Sequence, residues 1–242
     1  MSHVHLVSLL QSVALLCPSL PAAGAEPLID NLREPLRANT LIFDDGSRNL
    51  WAAQSFSADG RRYRLDSIET ILGTATGRPV VVAELRDGDD PTGALLSTLS
   101  LPALQTAGTA LVTLTPDADV IIEPGQAFTL ILGVSNTADY EWAYANTNNW
   151  IGPGTFGNYH YSSDAGQTWA NFGSKFPYYL RVNVTLICDP DCNSDGALSV
   201  ADFGCFQGKY VLGDPYADCN GSGTLTVADF GCFQGLYVLG CP

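Results

Sequence analysis

The C-terminal part of the chain carries an internal repeat, and this repeat restricts the possible fold more than any other feature. The segment DCNSDGALSVADFGCFQGKYVLG, which begins at Asp191, recurs 27 residues later as DCNGSGTLTVADFGCFQGLYVLG, which begins at Asp218. About three positions in four are identical. A repeat of this length is typical of one supersecondary unit used twice. The sequence therefore predicts two copies of a loop followed by a helix.

Each copy places oxygen-bearing residues at positions 1, 3, 5, 7, 9 and 12 of a 12-residue loop, with glycine at position 6, as calcium-binding loops do. In the first copy they are Asp191, Asn193, Asp195, the carbonyl of Ala197, Ser199 and Asp202. In the second copy they are Asp218, Asn220, Ser222, the carbonyl of Thr224, Thr226 and Asp229. The pattern predicts two Ca²⁺ sites, and the first is predicted to bind more tightly because Ser222 replaces a carboxylate. The alternative is an acidic loop rich in Asx turns that binds no metal.

Cysteine use is concentrated in the same region. Six of the seven cysteines lie there: Cys188, Cys192, Cys205, Cys219, Cys232 and Cys241. An even number in a short stretch of an exported chain indicates three disulfides, whereas a zinc site needs a C-x-x-C or Cys/His spacing that these residues lack. Cys188 and Cys241 flank the repeat and are predicted to pair, and the other four allow three pairings.

The predicted helices contain glycines that weaken them. Gly204 and Gly208 in the first helix, like their counterparts in the second, each cost about 1 kcal/mol relative to alanine. A disulfide contributes about 2 to 4 kcal/mol, so the cystines are predicted to stabilise this small tail. The Gly-x-x-x-Gly spacing would alternatively let the two helices approach closely.

The first 25 residues have the pattern of a signal peptide. An uncharged apolar run at 6–16 precedes the small residues Ala23, Gly24 and Ala25. The alternative is a membrane anchor, but the run is too short to cross a hydrocarbon layer of about 30 Å as a helix. The chain is therefore predicted to be exported, to the extracellular space or the cell surface of a bacterium.

The charge of the chain excludes some classes of partner. Its net charge of −14 at pH 7 would repel nucleic acids and anionic membrane surfaces. Apolar residues make up 46% of the chain, which is enough for a folded core rather than an acidic disordered tail. No partner nucleic acid and no membrane span are expected.

Between residues 26 and 187 the chain consists of short apolar segments separated by turns. Candidate strands lie at 51–56, 63–72, 80–86, 94–99, 110–114, 127–134, 140–145, 158–161 and 179–184. Turn sequences such as Glu123-Pro124-Gly125 separate them. This pattern predicts a mainly β fold, an antiparallel β-sandwich of jelly-roll type, followed by a small α calcium-binding domain. The predicted domains are a signal peptide at 1–25, the sandwich at 26–187 and the repeat domain at 188–242.

Several segments of the β region resemble a family of exported bacterial domains known as choice-of-anchor R. They are WAAQSF, VVVAELRDGDDPTGALLSTL, IEPGQAFTLIL and YEWAYANTNNWIGPGTFGNYHYSSDAGQTW. The likeness covers about residues 40–185. Members of that family carry different C-terminal attachment devices and have no agreed catalytic residues or ligand. The resemblance implies architecture and location rather than chemistry.

The repeat region resembles a type I dockerin, and its ADFGCFQG segments match the cysteine-containing variant called the GC type. Dockerins dock on cohesin domains, with Ser or Thr at loop positions 10 and 11 and basic residues further along the helix. Here positions 10 and 11 are Val200-Ala201 and Val227-Ala228, and Gln207-Gly208 and Gln234-Gly235 stand where bases are expected. The resemblance implies an EF-hand-like calcium fold with a cohesin-like protein or a cell-surface component as partner.

The chain offers no recognisable catalytic set. His160 is the one histidine outside the predicted leader, and neither G-x-S-x-G nor H-E-x-x-H occurs. Carboxylates for a glycosidase pair are present at Glu69, Glu84, Asp87, Glu141 and Asp164, as in any acidic protein. We therefore expect no enzyme and no catalytic residues.

Aromatic residues crowd into one stretch of the β region. Trp142, Trp150, Tyr159 and Tyr161 are candidate glycan contacts, with Trp150 the one most expected to be exposed. The alternative is that alternate members of this set fill the core. The sequence thus predicts a non-catalytic exported protein displayed or assembled through its calcium-dependent tail. A glycan-binding or polysaccharide-degrading component of an extracellular assembly is the alternative.

Overall fold

The computed structural model describes residues 27–240, apart from residues 106, 188, 189 and 221. The predicted signal peptide, at 1–25, lies outside the described residues. The strands of the described part are β1 Pro27–Asp30, β2 Leu36–Asp44, β3 Asn49–Ser57, β4 Tyr63–Thr76, β5 Val81–Asp87, β6 Leu95–Ser100, β7 Ala110–Pro116, β8 Ile121–Ile122, β9 Ala127–Val134, β10 Ala138–Ala145, β11 Thr155–Ser162, β12 Ala170–Asn171 and β13 Arg181–Leu186. They are followed by helix α1, Val200–Leu212, a 3-10 turn at Pro215–Ala217 and helix α2, Val227–Leu239. The fold is mainly β.

Eight of the described strands pair in a closed ring. The order is β4–β10–β2–β3–β9–β5–β6–β7, and β7 pairs again with β4. Every pairing in the ring is antiparallel. Strands β13 and β1 continue the sheet beside β4, and β11 and β12 continue it beside β3. The large domain is therefore a closed antiparallel β-barrel with additional strands.

The predicted jelly-roll sandwich is wrong. A sandwich consists of two separate sheets, whereas here strand pairs join the sheets at both edges, Phe43 with Leu50 between β2 and β3 and Leu99 with Pro116 between β6 and β7. Strand β4 has 14 residues and pairs with β13 and β10 along one edge and with β8 and β7 along the other. Because strands alternate in the same way in a sandwich and in a barrel, the apolar pattern does not report closure.

One apolar core fills the barrel. In β7, Val112 and Leu114 are buried while Thr113 is exposed, which is the period of two expected of a strand with one buried face. On neighbouring strands Phe56 and Phe128 are register partners, and their rings stack with centroids 5.7 Å apart. The strands thus present one face to a common interior.

The C-terminal repeat has a core of its own, in which Phe206 of α1 and Phe233 of α2 pack with Cys192 of the first loop and Ala217 of the 3-10 turn. The rings of Phe206 and Phe233, which are equivalent in the two copies, stack 4.2 Å apart at 19°. Two equivalent pairs flank this stack at the same interplanar angle of 56°, Phe203 with Tyr237 at 4.6 Å and Tyr210 with Phe230 at 4.7 Å. The ring contacts of the two copies are therefore related by a local twofold axis. Neither helix, nor any other helix of the described part, is long and apolar enough to cross a membrane.

Candidate functional site

The two loops of the repeat share one set of backbone hydrogen bonds. The Asp191 carboxylate accepts from the Gly196 N–H at 2.8 Å, and the equivalent Asp218 accepts from Gly223 at 2.6 Å. Both glycines have positive φ, +82° and +78°, which glycine adopts without strain. The loops therefore turn at position 6, as the predicted calcium loops require.

The last carboxylate of each loop is buried beneath it. Asp202 and Asp229 are 0% exposed, although they belong to the first turns of α1 and α2. Asp202 accepts from the N–H groups of Ser199 at 2.8 Å and Asn193 at 3.3 Å, and Asp229 makes the same bonds in the second copy. No basic side chain of the described residues pairs with either carboxylate. Each loop thus holds a buried carboxylate that is bound mainly by backbone N–H groups.

The pKa values of these carboxyls follow from the same contacts. Burial acts to raise the pKa of Asp202, but backbone N–H donors, chiefly those of Ser199 and Asn193, together outweigh burial and leave this pKa lowered. For Asp229 the Thr226 N–H is the main cause of a lowered pKa. Both groups are therefore ionised at neutral pH, the form that a cation needs.

The donor set fits Ca²⁺ in chemistry, since carboxylate, amide, hydroxyl and carbonyl oxygens are the ligands that a hard cation takes. Within the described residues, however, no three His, Cys, Asp or Glu side chains converge on one point. In the first loop Asp195 is turned to the Asn193 amide, 2.9 Å away. In the second, the Ser222 hydroxyl donates to the Thr224 carbonyl at 3.0 Å, so that two predicted ligands bond to each other. The residues are in order along the loops but do not form a preassembled cluster.

Disulfides join each loop to its own helix. Cys192 bonds to Cys205, and Cys219 bonds to Cys232, each across 13 residues. These two of the three predicted disulfides are present, and they occupy equivalent positions in the two copies. The predicted Cys188–Cys241 pair lies outside the described residues. Disulfides form and persist in oxidising compartments, and these two therefore indicate an oxidising, extracellular environment.

Each helix turns an apolar face to solvent. Val200 and Val227, which begin the helices, are 85% and 82% exposed, and Val211 and Val238 near their ends are 76% and 77% exposed. Nothing lies within 4 Å of where a side chain would start at the helix glycines, Gly204, Gly208, Gly231 and Gly235. The alternative, that these glycines let the two helices approach each other, is therefore wrong. They lie instead on the same outward faces as the valines.

The four candidate glycan contacts have different surroundings. Trp142 is 0% exposed, and its ring stacks on Tyr178 at 3.9 Å, so it cannot contact a glycan. Trp150 is half-buried, because its indole N–H donates to the Gly154 carbonyl and its ring packs edge-on against Phe156. Strand β11 brings Tyr159 and Tyr161 together, with centroids 5.7 Å apart and both rings partly exposed. Trp142 therefore belongs to the core, and Trp150, Tyr159 and Tyr161 pack against it while keeping part of their surface exposed.

Phe172 lies against both tyrosines, and the aromatic pattern alone did not single it out. Its ring is 54% exposed and nearly parallel to that of Tyr159, at 12°. Asn171 before it and Gly173-Ser174 after it are turn-forming residues. An aromatic residue inside such a segment is the signal that identifies an exposed ring.

The candidate catalytic residues are engaged in structural contacts. His160 is buried on β11, and burial lowers its pKa, with Asp90 and Asp89 acting in the opposite direction. Glu69 and Glu84 pair with Arg181 at 3.0 Å and Arg86 at 2.6 Å. Both glutamates therefore serve in ion pairs of the barrel.

A shallow pocket of about 540 Å³ lies beside the turn between β2 and β3. Its polar side chains bond to one another, for example Arg48 to Asp45 at 3.1 Å and Thr76 to Asp139 at 2.6 Å. Hydrogen bonds from Ser47 and Arg48 hold the pKa of Asp45 well below its usual range. The contacts of Asp45 stabilise the turn, and the Thr76–Asp139 bond joins β4 to β10.

The described residues define a class of protein, a closed antiparallel β-barrel followed by a cystine-stapled pair of loop-helix units. No model of a known protein family matches the chain, and no curated protein matches it either. The resemblances to choice-of-anchor R domains and to dockerins therefore enter only as parts of a proposal.

Proposed function

We propose that this chain is a non-catalytic exported protein whose barrel is displayed or assembled through its C-terminal repeat, acting as a calcium-dependent, dockerin-like docking module. The observation that carries the proposal is the equivalence of the two copies. Loop contacts, buried carboxylate, disulfide and exposed valines recur in both, which is the expected result when a binding unit is duplicated.

Calcium is proposed as the ion that organises the loops. Asp202 and Asp229 are buried, ionised and held by backbone N–H groups rather than by a basic side chain, so their negative charge is available to a cation. The oxygens of Asp191, Asn193 and Asp195, with their counterparts in the second loop, would hold the ion beside these carboxylates. When bound, Ca²⁺ would neutralise the loop and link it to the first turn of its helix.

The outward helix faces are proposed as the docking surface. A single exposed valine is ordinary, but here Val200, Val211 and Leu212 are exposed on α1, with Gly204 and Gly208 between the valines. On α2, Val227 and Val238 are exposed, with Gly231 and Gly235 between them. Glycines on such a face let a partner backbone approach closely. The partner is proposed to be a cohesin-like protein or a cell-surface component with an apolar surface.

Immobilised intact protein tests this docking role. We expect it to retain a partner from extracellular and cell-envelope material in calcium, and to release it in EDTA. The double variant Val200→Lys, Val227→Lys should lose retention. A lysine on either helix face would lose its hydration water when that face contacts the partner, and this desolvation is costly. A matched control is Val80→Lys, which alters an exposed valine of the barrel. Retention that survives both EDTA and the double variant would reject the proposal.

The two calcium sites are expected to differ. The first loop has three carboxylates and the second has two, since Ser222 stands where the first has Asp195. Ser222→Asp should tighten the second site roughly tenfold, because affinity rises with the number of charged ligands. Calorimetric titration measures both sites, and Ser163→Asp, which adds the same charge to the barrel, is the control. An unchanged second site would contradict this ligand assignment.

A further inference from the structure

One edge of the barrel carries a group of aromatic rings that the docking module does not involve. The Phe172 N–H donates to the Tyr159 carbonyl at 3.0 Å, and the Phe172 ring lies 6.0 Å from that of Tyr159. Tyr161 packs edge-on against Phe172 at 5.0 Å, and its hydroxyl is 3.1 Å from the Thr40 hydroxyl on β2. Backbone and side-chain contacts therefore hold the half-exposed Phe172 ring in a fixed orientation.

Two cations lie at the same edge. The guanidinium of Arg37 is 3.9 Å from the centre of the Phe176 ring, and the ammonium of Lys175 is 5.3 Å from it. Arg37 also acts electrostatically on Tyr159, whose pKa is raised mainly by burial and lowered in part by this arginine. Lys175 and Phe176 follow Phe172 by three and four residues, and the Tyr159 N–H donates to the carbonyl of Gly173 in the same segment at 2.9 Å. This segment therefore places Lys175, and the ring that Arg37 covers, at the edge that holds the aromatic rings.

These cations differ from most others in the chain. Arg86, Arg181 and Lys209, for example, lie within 4 Å of a carboxylate. In the described part of the protein Arg37 and Lys175 pair with none, and Arg37 donates only to the neutral Asn146 side chain, at 3.1 Å. A guanidinium has five N–H donors, so several remain for a ligand. On a chain with net charge −14, an edge with two unpaired cations is suited to an anion.

The combination of a ring and a guanidinium defines the ligand further. Exposed aromatic rings stack on the apolar faces of sugars, and the planar fork of arginine matches a carboxylate with two parallel hydrogen bonds. We propose that this edge binds a polysaccharide built of uronic acids, with one sugar ring on Phe172 and uronate carboxylates on Arg37 and Lys175. The site lies on the barrel and does not rest on the docking role of the repeat.

Calorimetric titration of the intact protein with oligogalacturonate tests the proposal. EDTA in the buffer keeps calcium from bridging uronates to the repeat, so failure of the docking proposal would leave this experiment unaffected. We expect Phe172→Ala to weaken binding about fivefold, through loss of the stacking surface. The double variant Arg37→Gln, Lys175→Gln should weaken it about tenfold, through loss of the charged hydrogen bonds.

The matched control is Arg78→Gln, which removes another cation that has no carboxylate partner within the described residues and lies in the turn between β4 and β5. Its binding should equal that of the unaltered protein, and circular dichroism should show all variants folded. Neutral dextran oligosaccharides should bind at least tenfold more weakly. Absence of heat with oligogalacturonate would overturn the proposal. Equal binding of inorganic polyphosphate, unaffected by Phe172→Ala, would overturn it too, because charge alone would then explain the contact.

Discussion

Reduction of the protein in calcium-free buffer is expected to unfold the two helices while the barrel stays folded. The disulfides Cys192–Cys205 and Cys219–Cys232 each close a loop across 13 residues, which contributes about 3 kcal/mol. The glycines of the helices cost about 1 kcal/mol each, and because they face solvent no packing offsets that cost. The small core around Phe206 and Phe233 is too limited to replace two cystines.

The chain allows the two parts to be followed separately. All four tryptophans, Trp51, Trp142, Trp150 and Trp169, belong to the barrel, and none of the described barrel residues is a cysteine. Tryptophan fluorescence should therefore stay unchanged on reduction while the helical circular-dichroism signal is lost. The double variant Cys205→Ser, Cys232→Ser should behave like the reduced protein without any reductant. A helical signal that survives reduction would contradict the stabilising role assigned to the cystines.

Replacement of Trp142 by alanine is expected to be the most destabilising single change in the barrel. The side chain is fully buried, stacks on Tyr178 and donates its indole N–H to the Thr70 hydroxyl at 2.7 Å. That hydroxyl in turn donates to the Tyr179 carbonyl at 2.6 Å. Trp142→Ala should reduce the free energy of unfolding by about 3 to 5 kcal/mol, through lost burial and the cavity that remains.

Urea unfolding followed by circular dichroism measures this loss. Trp142→Phe keeps most of the ring but removes the donor to Thr70, and should lose about 1 to 3 kcal/mol. Trp150→Ala, at a half-buried position, is the matched control and should cost less than Trp142→Ala. The reverse order would mean that Trp142 is not at the centre of the barrel core.

The C-terminal repeat was predictable from the sequence because its signals are local. Positions 1 and 6 of each loop, the cap at Ser199 and the helix after it are set by neighbouring residues, and the structure places α1 directly after Ser199. The disulfide pairing was not predictable, because all three pairings of four cysteines fit the sequence equally well. Only the packing of the helix against its own loop brings Cys192 to Cys205.

The barrel was predictable in its strands but not in its closure. Strand β9, at Ala127–Val134, has the predicted bounds, whereas β2 was missed because Arg37, Asn39 and Thr40 interrupt its apolar pattern. That missed strand joins β10 to β3 and so completes the ring. It also supplies Arg37 to the aromatic edge, which is why that edge could not be assembled from sequence alone.

The calcium claim is central, and calorimetric titration of Ca²⁺ into the intact, oxidised protein tests it most directly. Two saturable binding events of unequal affinity are predicted, together with a higher unfolding temperature for the helices. Asp195→Asn should weaken the tighter event and leave the other, and Asp229→Asn should do the reverse, since each removes one charged ligand from one loop. Absence of both heat and stabilisation in the unaltered protein would show that the duplicated loops are not calcium sites.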